Sequence, residues 1–330
     1  MADKITGNIV FLGTATGSRV QQLLNRYRSQ LTSYESISAY ALLGIVGGVA
    51  SGLVVLAFEL AIAETGNLLG VGNGAEDFES LPGWLLFTLP LAGAFALGCI
   101  FTLLRPVDRE TGIVHVLSRM HSHYGALPLR NAAVQFFGGV FALATGQSGG
   151  REGPGVHLGG AANSLLGQWL ELPNNSLRML VACGTAGGIS AAFHTPLAGV
   201  IFAMEVIVAE YTLIGFIPVM LAAVAASIIS RALSPSLALD NLPALHLNSL
   251  LETPYLLLLG LCCGVAVSAF IRTSKFAAQY AHLPVALRFT VAGLLTGTLA
   301  LAVPEILGMG YDTLSLALQG GLALHMLLLI

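Results

Sequence analysis

The side chains best placed to do chemistry lie in "GQSGGREGPGVHLGG", Gly146 to Gly160, where Arg151 and Glu152 stand side by side among glycines between two apolar segments. Charge is costly in a bilayer and glycine is costly inside a helix, so neither belongs there without a use. A Gly-framed break exposes backbone N–H groups at the start of the helix that follows. Those donors, with the positive end of the helix dipole, hold an anion without needing a full positive charge. Two more interruptions share the form: "ETGIV" at 110–114 and the Gly-rich stretch leading to "HTPLAG" at 194–199. Glycine lets the backbone approach an ion closely, and proline in the first turn gives up no needed donor. Several such ends converging would bind a small anion and still release it. Glu152 is then a tethered competitor for the anion. Protonated, it swings out and lets the anion pass, acting as a gate or a proton carrier. The alternative is a plain interfacial ion pair between Arg151 and Glu152, which the divergent directions of adjacent helical residues weaken.

Other reactive side chains give less. "GQSGG" fits G-x-S-x-G, so Ser148 with His157 or His194 defines a remote enzyme alternative, an intramembrane serine protease. That reading has no oxyanion donor set behind it. His115, His121 and His123 cluster, but their spacing does not converge on a metal, and they are expected to be solvated or interfacial. Cys99, Cys183, Cys262 and Cys263 sit in apolar surroundings without ligand spacing and are expected to be small buried residues. No metal and no cofactor is expected. Trp84 and Trp169 suit an interfacial belt, and "GGVASG" and "GLLTG" suit close helix packing.

The scaffold that positions these residues must be a membrane one. Of 330 residues, 55% are hydrophobic and only 9% charged, against about 25% charged in soluble domains. Mean hydropathy is +0.81. The runs Ser38 to Ala63, Leu85 to Leu104, Phe216 to Leu233 and Tyr255 to Ile271 approach or exceed the ~20 apolar residues that cross a bilayer. A net charge of −3 on so few charges names no partner, and without a basic patch nucleic acid is not indicated. The expected class is all-α and polytopic, with long helices alternating with segments too short to cross. "TGIVHVLSRMHSHYG" is half a membrane long. A helix over 129–146 leads into the Gly-rich break, and another runs from Gly153 to Leu172. "LPNNS" caps a helix opening at Asn175 or Ser176, which is broken at "GTAGGIS". The chain divides into an N-terminal arm (1–35), a first transmembrane unit (36–233), a connecting loop (234–253) and a second unit (254–330) that echoes the start of the first, as in transporters built from repeats. No cleavable signal is visible. Arg105, Arg109, Arg119 and Arg130 in one connection, and Glu76, Asp77 and Glu79 in the preceding one, place the N-terminus in the cytoplasm.

"GREGP" with "GVHLGG", followed by "GGISAAFHTPLAGVIFAMEV", resembles the CLC family of chloride channels and chloride/proton antiporters over roughly residues 36–320. The resemblance implies long tilted and re-entrant helices in an inverted repeat, the second repeat incomplete here. It implies chloride transport gated by Glu152, with Gly150, Arg151, Gly153 and Pro154 forming its helix-start loop. Thr111, Gly112 and Ile113 match a second anion-binding loop. There Thr111 replaces a serine whose hydroxyl it can imitate, and Val114 stands in place of proline. Pro196 and Glu205 are implied as supporting residues, Glu205 as a structural carboxylate bonded to helix starts. Val206 occupies the position of an internal proton-carrying glutamate, so antiport is expected and a passive channel is the alternative. A multi-pass protein of the bacterial inner membrane is implied, a homodimer with a pathway in each subunit and an interface at 196–210 and 214–233. The family's second-half pore loop and tyrosine are missing, so the chain is expected to be a fragment that conducts poorly alone. Whether a regulatory domain follows stays open.

Overall fold

The computed structural model describes residues 37–72, 77–209, 212–233, 253–319 and 321. The N-terminal arm, Glu76 and most of the connecting loop expected at 234–253 lie outside the described residues. Eleven helices are described: α1 (Ile37–Leu68), α2 (Gly83–Leu103), α3 (Gly112–Ser122), α4 (Leu129–Ala144), α5 (Glu152–Trp169), α6 (Asn174–Phe193), α7 (Pro196–Phe202), α8 (Leu213–Leu233), α9 (Thr253–Ala278), α10 (Val285–Ala300) and α11 (Tyr311–Leu318). Among these residues β-pairing is confined to an isolated bridge between Gly72 and Asp77.

Five helical stretches are long and apolar enough to cross a membrane: α1, α2, α6, α8, and α9 with the turn that follows it. The 32 residues of α1 measure about 48 Å at 1.5 Å per residue, well beyond a ~30 Å hydrocarbon core, so α1 tilts or projects. α4 and α10 have 16 residues each, and α3 has 11. Short helices of this kind leave polar helix ends at membrane depth, tolerated only where protein or a wet cavity satisfies them.

Small residues decide which helices meet. Along one stripe of α1, Gly44, Gly48 and Gly52 face the backbone of Pro218, Ala222 and Ala226 of α8, and a Cβ at Gly48 would come 2.7 Å from the Ala222 Cα. α5 and α6 cross through Gly155 and Gly159 against Gly184 and Gly188, where a Cβ on Gly188 would lie 2.9 Å from the Gly155 carbonyl carbon. α2 and α10 pack similarly, Gly293 facing Pro90 and Leu91. Lipid tails are as apolar as leucine, so close packing and hydrogen bonds, not hydrophobicity, hold such contacts. Asn163 of α5 supplies the bonds at the centre: its Nδ2, with two hydrogens to share, lies within hydrogen-bond distance of Gly47 O (3.0 Å), Ser51 Oγ (2.7 Å) and Gly159 O (3.0 Å). Ser51 in turn donates to Gly184 O at 3.2 Å, so α1, α5 and α6 are tied together.

Three details differ from the sequence reading. α6 runs unbroken through "GTAGGIS", because those glycines are needed for the approach of α5, and the chain breaks at His194 (φ 54) instead. α6 also opens earlier, at Asn174 after Pro173, and Ser176 is turned inward to the Tyr40 hydroxyl at 3.1 Å. Of the cysteines, Cys183 is buried while Cys99, Cys262 and Cys263 are exposed on apolar helices. Apolar sequence does not separate a protein-facing position from a lipid-facing one.

Candidate functional site

Two Gly-framed loops meet on one cavity. The first leads into α3. Thr111 is extended (φ −143) and Gly112 takes φ +73, a left-handed conformation that glycine adopts without strain. α4 holds this turn from one face: Gln135 Oε1 accepts the Gly112 N–H at 2.8 Å. Asn131, one turn earlier, donates from Nδ2 to Val107 O (2.8 Å) and Glu110 O (2.9 Å). The Thr111 hydroxyl makes no capping bond to α3. Ile113 packs beside the apolar cluster around Val116, Met120 and Val156.

The second loop joins α4 to α5. Gly146 (φ +79) turns beneath the Phe78 ring, which occupies the space a side chain would need. Gln147 Nε2 donates to Pro90 O at 2.7 Å, and the Gly149 N–H reaches Gly308 O at 3.3 Å. Arg151 is buried, 6% exposed. Its Nη1 contacts Glu59 Oε1 of α1 at 2.9 Å, its guanidinium carbon lies 4.5 Å from the centre of the Tyr311 ring, and its Nε and Nη2 have no partner among the described residues. Arg151 therefore pairs with Glu59 and not with its neighbour Glu152. Glu152 opens α5 and is exposed. Its Oε1 is 3.5 Å from the Tyr311 hydroxyl, and its carboxylate lies so closely over Gly150 that any side chain there would overlap it. No side chain caps the start of α5; the Gly155 N–H closes its first turn on Arg151 O at 2.8 Å.

A cavity of about 290 Å³ is lined by Thr111, Gln135, Gln147, Gly149, Gly150 and Pro154 among others. Gly112 and Ile113 follow Thr111 in the chain, and Arg151, Glu152 and Gly153 follow Gly150, but none of these five is among the lining residues. The third predicted interruption does not reach this cavity. Pro196 opens α7, a helix of 7 residues that widens into a π-helical turn over Ala203–Val208. Glu205 and Val206 lie on that turn, both exposed, and Glu205 makes no hydrogen bond to another described residue; the bonds to helix starts expected of it are not among those seen. Outside the membrane segments, burial together with the carboxylates of Asp312, Glu305 and Asp77 pushes the Glu79 carboxyl above its ordinary range.

Chemically, this is a cavity edged by a hydroxyl, side-chain amides and backbone at helix starts, with the nearby Arg151 cation offset by the Glu59 carboxylate. Such donors suit a small anion, and the balance of Arg151 by Glu59 avoids a trap too deep for release. It does not suit a serine hydrolase. Ser148 is exposed and bonds to neither histidine, His157 Nε2 faces His115 Nδ1 at 2.9 Å, and His194 Nε2 faces Ser230 Oγ at 3.0 Å. His115, expected to be solvated or interfacial, is instead buried at 4% exposed on α3, whereas His121 and His123 are exposed. Sequence reasoning also passed over Glu59, Gln135 and Tyr311. For Glu59 a signal existed: a lone carboxylate inside "VLAFELAIA" requires a partner at membrane depth.

A family model described as voltage gated chloride channel matches residues 92–330. A putative chloride channel protein ClcB-like from Ralstonia nicotianae (strain ATCC BAA-1114 / GMI1000) is 31% identical over 285 residues, covering 83% of this chain and 66% of that protein. The H(+)/Cl(−) exchange transporter ClcA of Vibrio cholerae serotype O1 (strain ATCC 39541 / Classical Ogawa 395 / O395) is 31% identical over 299 residues, covering 87% of this chain and 64% of that protein. The chain thus spans about two thirds of the length of these curated relatives. Among solved structures, a CLC-type fluoride/proton antiporter superposes with a TM-score of 0.74 at 24% identity, over 90% of this chain and 75% of that one.

Proposed function

The chain belongs to the voltage gated chloride channel family, and from that premise we propose that it carries chloride or a similar small anion across a membrane in exchange for protons, with Glu152 as the gate. The observation that carries this reading is the cavity shared by Thr111 and Gly150, with the Glu152 carboxylate packed on Gly150. The anion enters among the Thr111 hydroxyl and the helix-start donors. Ionised, Glu152 competes for the donors at the start of α5. Protonated, it loses that attraction and yields its place. Gly150, Arg151, Gly153 and Pro154 shape this helix start, and Thr111, Gly112 and Ile113 shape the facing one. Pro196 and Glu205 stand outside the cavity. The relative from Vibrio cholerae is an exchange transporter, which supports antiport over simple conduction.

A second reading has its own observation. Val206, on the π-helical turn and 39% exposed, carries no proton, and a protein without a proton route conducts chloride passively. The proposed setting is a bacterial inner membrane, with the N-terminus cytoplasmic and two copies side by side, each with its own pathway. The test reconstitutes the full-length protein in liposomes, imposes a chloride gradient and records external pH for wild type and Glu152→Gln. Protons driven uphill by chloride in wild type and lost in the variant are expected. Chloride flux without proton movement selects the channel, and no chloride flux at all sinks both.

A further inference from the structure

The anion cavity leaves unused a second pair of titratable side chains. His115 on α3 and His157 on α5 are 4% and 0% exposed, with His115 Nδ1 2.9 Å from His157 Nε2 and ring centres 5.1 Å apart. Two imidazoles buried beside fully buried Val116 and Val156 are costly unless their nitrogens are satisfied. Two of the four are, by each other. His115 Nε2 faces Glu110 Oε2 at 3.9 Å, and that carboxylate's side chain is 57% exposed. His157 Nδ1 is buried with no partner among the described residues.

This order favours one pair of tautomers. A carboxylate beside His115 Nε2 favours the proton there and leaves Nδ1 as an acceptor. His157 then donates through Nε2, and its Nδ1 is a bare lone pair in the interior. We propose that Glu110, His115 and His157 form a proton wire joining water at the protein surface to the interior along α5. A proton arriving on His157 Nδ1 releases the Nε2 proton to His115 Nδ1, and His115 releases its own Nε2 proton to the Glu110 carboxylate and on to water. One proton enters, one leaves, and both rings end in the opposite tautomer, which a ring flip or the reverse transfer resets. Rotation of the carboxylate or one bridging water closes the 3.9 Å gap. The charged groups facing His115 are Glu110, Arg119 and His123, and those facing His157 reduce to His115 among the described residues. His157 lies five residues beyond Glu152 on the same helix, roughly 7.5 Å along its axis. The wire's role rests on the exchange reading above: it brings protons toward the helix whose first residue is the gate, by a route that does not need Val206.

The test has two arms, both on the full-length protein. In lipid nanodiscs, histidine-selective ¹⁵N spectra should show His157 protonated on Nε2 and bare on Nδ1, with a coupling across the bond to His115 Nδ1. A proton on His157 Nδ1 in the resting state overturns the wire. In liposomes, His157→Gln keeps a donor to His115 but passes no proton onward, and Glu110→Gln changes an exposed site. Each should hold chloride flux within about twofold of wild type while proton flux falls about tenfold or more. Wild-type coupling in both variants overturns the wire and leaves the exchange reading intact. Chloride movement without protons in wild type overturns exchange and the wire's role together. If neither ion moves, transport itself fails and the tautomers alone decide the wire.

Discussion

Arg151 shows how a charge is kept at membrane depth without becoming a trap. Its guanidinium is held by Glu59 at 2.9 Å, with side chains 7% and 15% exposed, and it rests against the Tyr311 ring. Removing one member of a buried pair strands the other, at a cost of about 3–5 kcal/mol. Glu59→Gln is therefore expected to lower stability by an amount in that range and, in protein that survives, to tighten anion binding and slow its release, since the uncompensated cation one residue from Gly150 adds positive potential near the cavity. Thermal unfolding in detergent and chloride efflux from liposomes read the two effects, and unchanged efflux with unchanged stability would falsify this role for the pair. At this scale the sequence was partly legible. Gly150, Arg151 and Thr111 could be picked out because a Gly-framed helix start, and a charge in an apolar run, stand out locally. Glu59 stood out as a lone carboxylate in an apolar run but its partner did not, and Gln135 and Tyr311 did not stand out at all, since each acts on a loop from a different element and only the fold chooses that partner.

Helices here meet where glycine permits, and the same residue type misleads when read along one strand of sequence. "GTAGGIS" reads as a break because glycine is a poor helix former in water. In α6 it is an interface, with Gly184 and Gly188 set against Gly159 and Gly155, and the helix runs on to Phe193. Propensity lost at these positions is regained in close backbone contact and in the Asn163 hydrogen bonds that such closeness allows. Gly188→Val should push α5 from α6 and destabilise the protein by about 1–3 kcal/mol or more. Gly264→Ala on α9 is the matched control: an added Cβ there meets nothing within 4 Å, so about 0.5–1 kcal/mol of stabilisation is expected from helix propensity. Apparent melting temperatures of the two variants in one detergent check both signs. Equal shifts would mean that the glycines serve the helices singly and not the crossing. The starts of α3 and α5 were legible from their glycines for the opposite reason, because there the chain does stop: φ is +73 at Gly112 and +79 at Gly146.

For the whole molecule, composition was enough to give the class, but not which apolar surface meets lipid and which meets protein. α9 buries none of its residues against the described rest, and Leu197 of α7 and Ile228 of α8 are 63% and 60% exposed. Nothing apolar drives such faces together inside lipid, so exposure alone does not make an interface. α7 and α8 pack on each other through Val200, Val219, Ala222 and Ala223, giving a two-helix face that a second copy can match by twofold symmetry. In a background with Cys99, Cys262 and Cys263 replaced by serine, a cysteine at Ile228 should crosslink two copies in lipid, and the yield should persist on dilution with excess lipid. Phe137 of α4, 71% exposed on a helix remote from this face in sequence, is the control and should crosslink only in proportion to protein density. Yields at the two positions that fall together on dilution would make the α7–α8 face a lipid contact, and the dimer expected from the family would have to be built elsewhere.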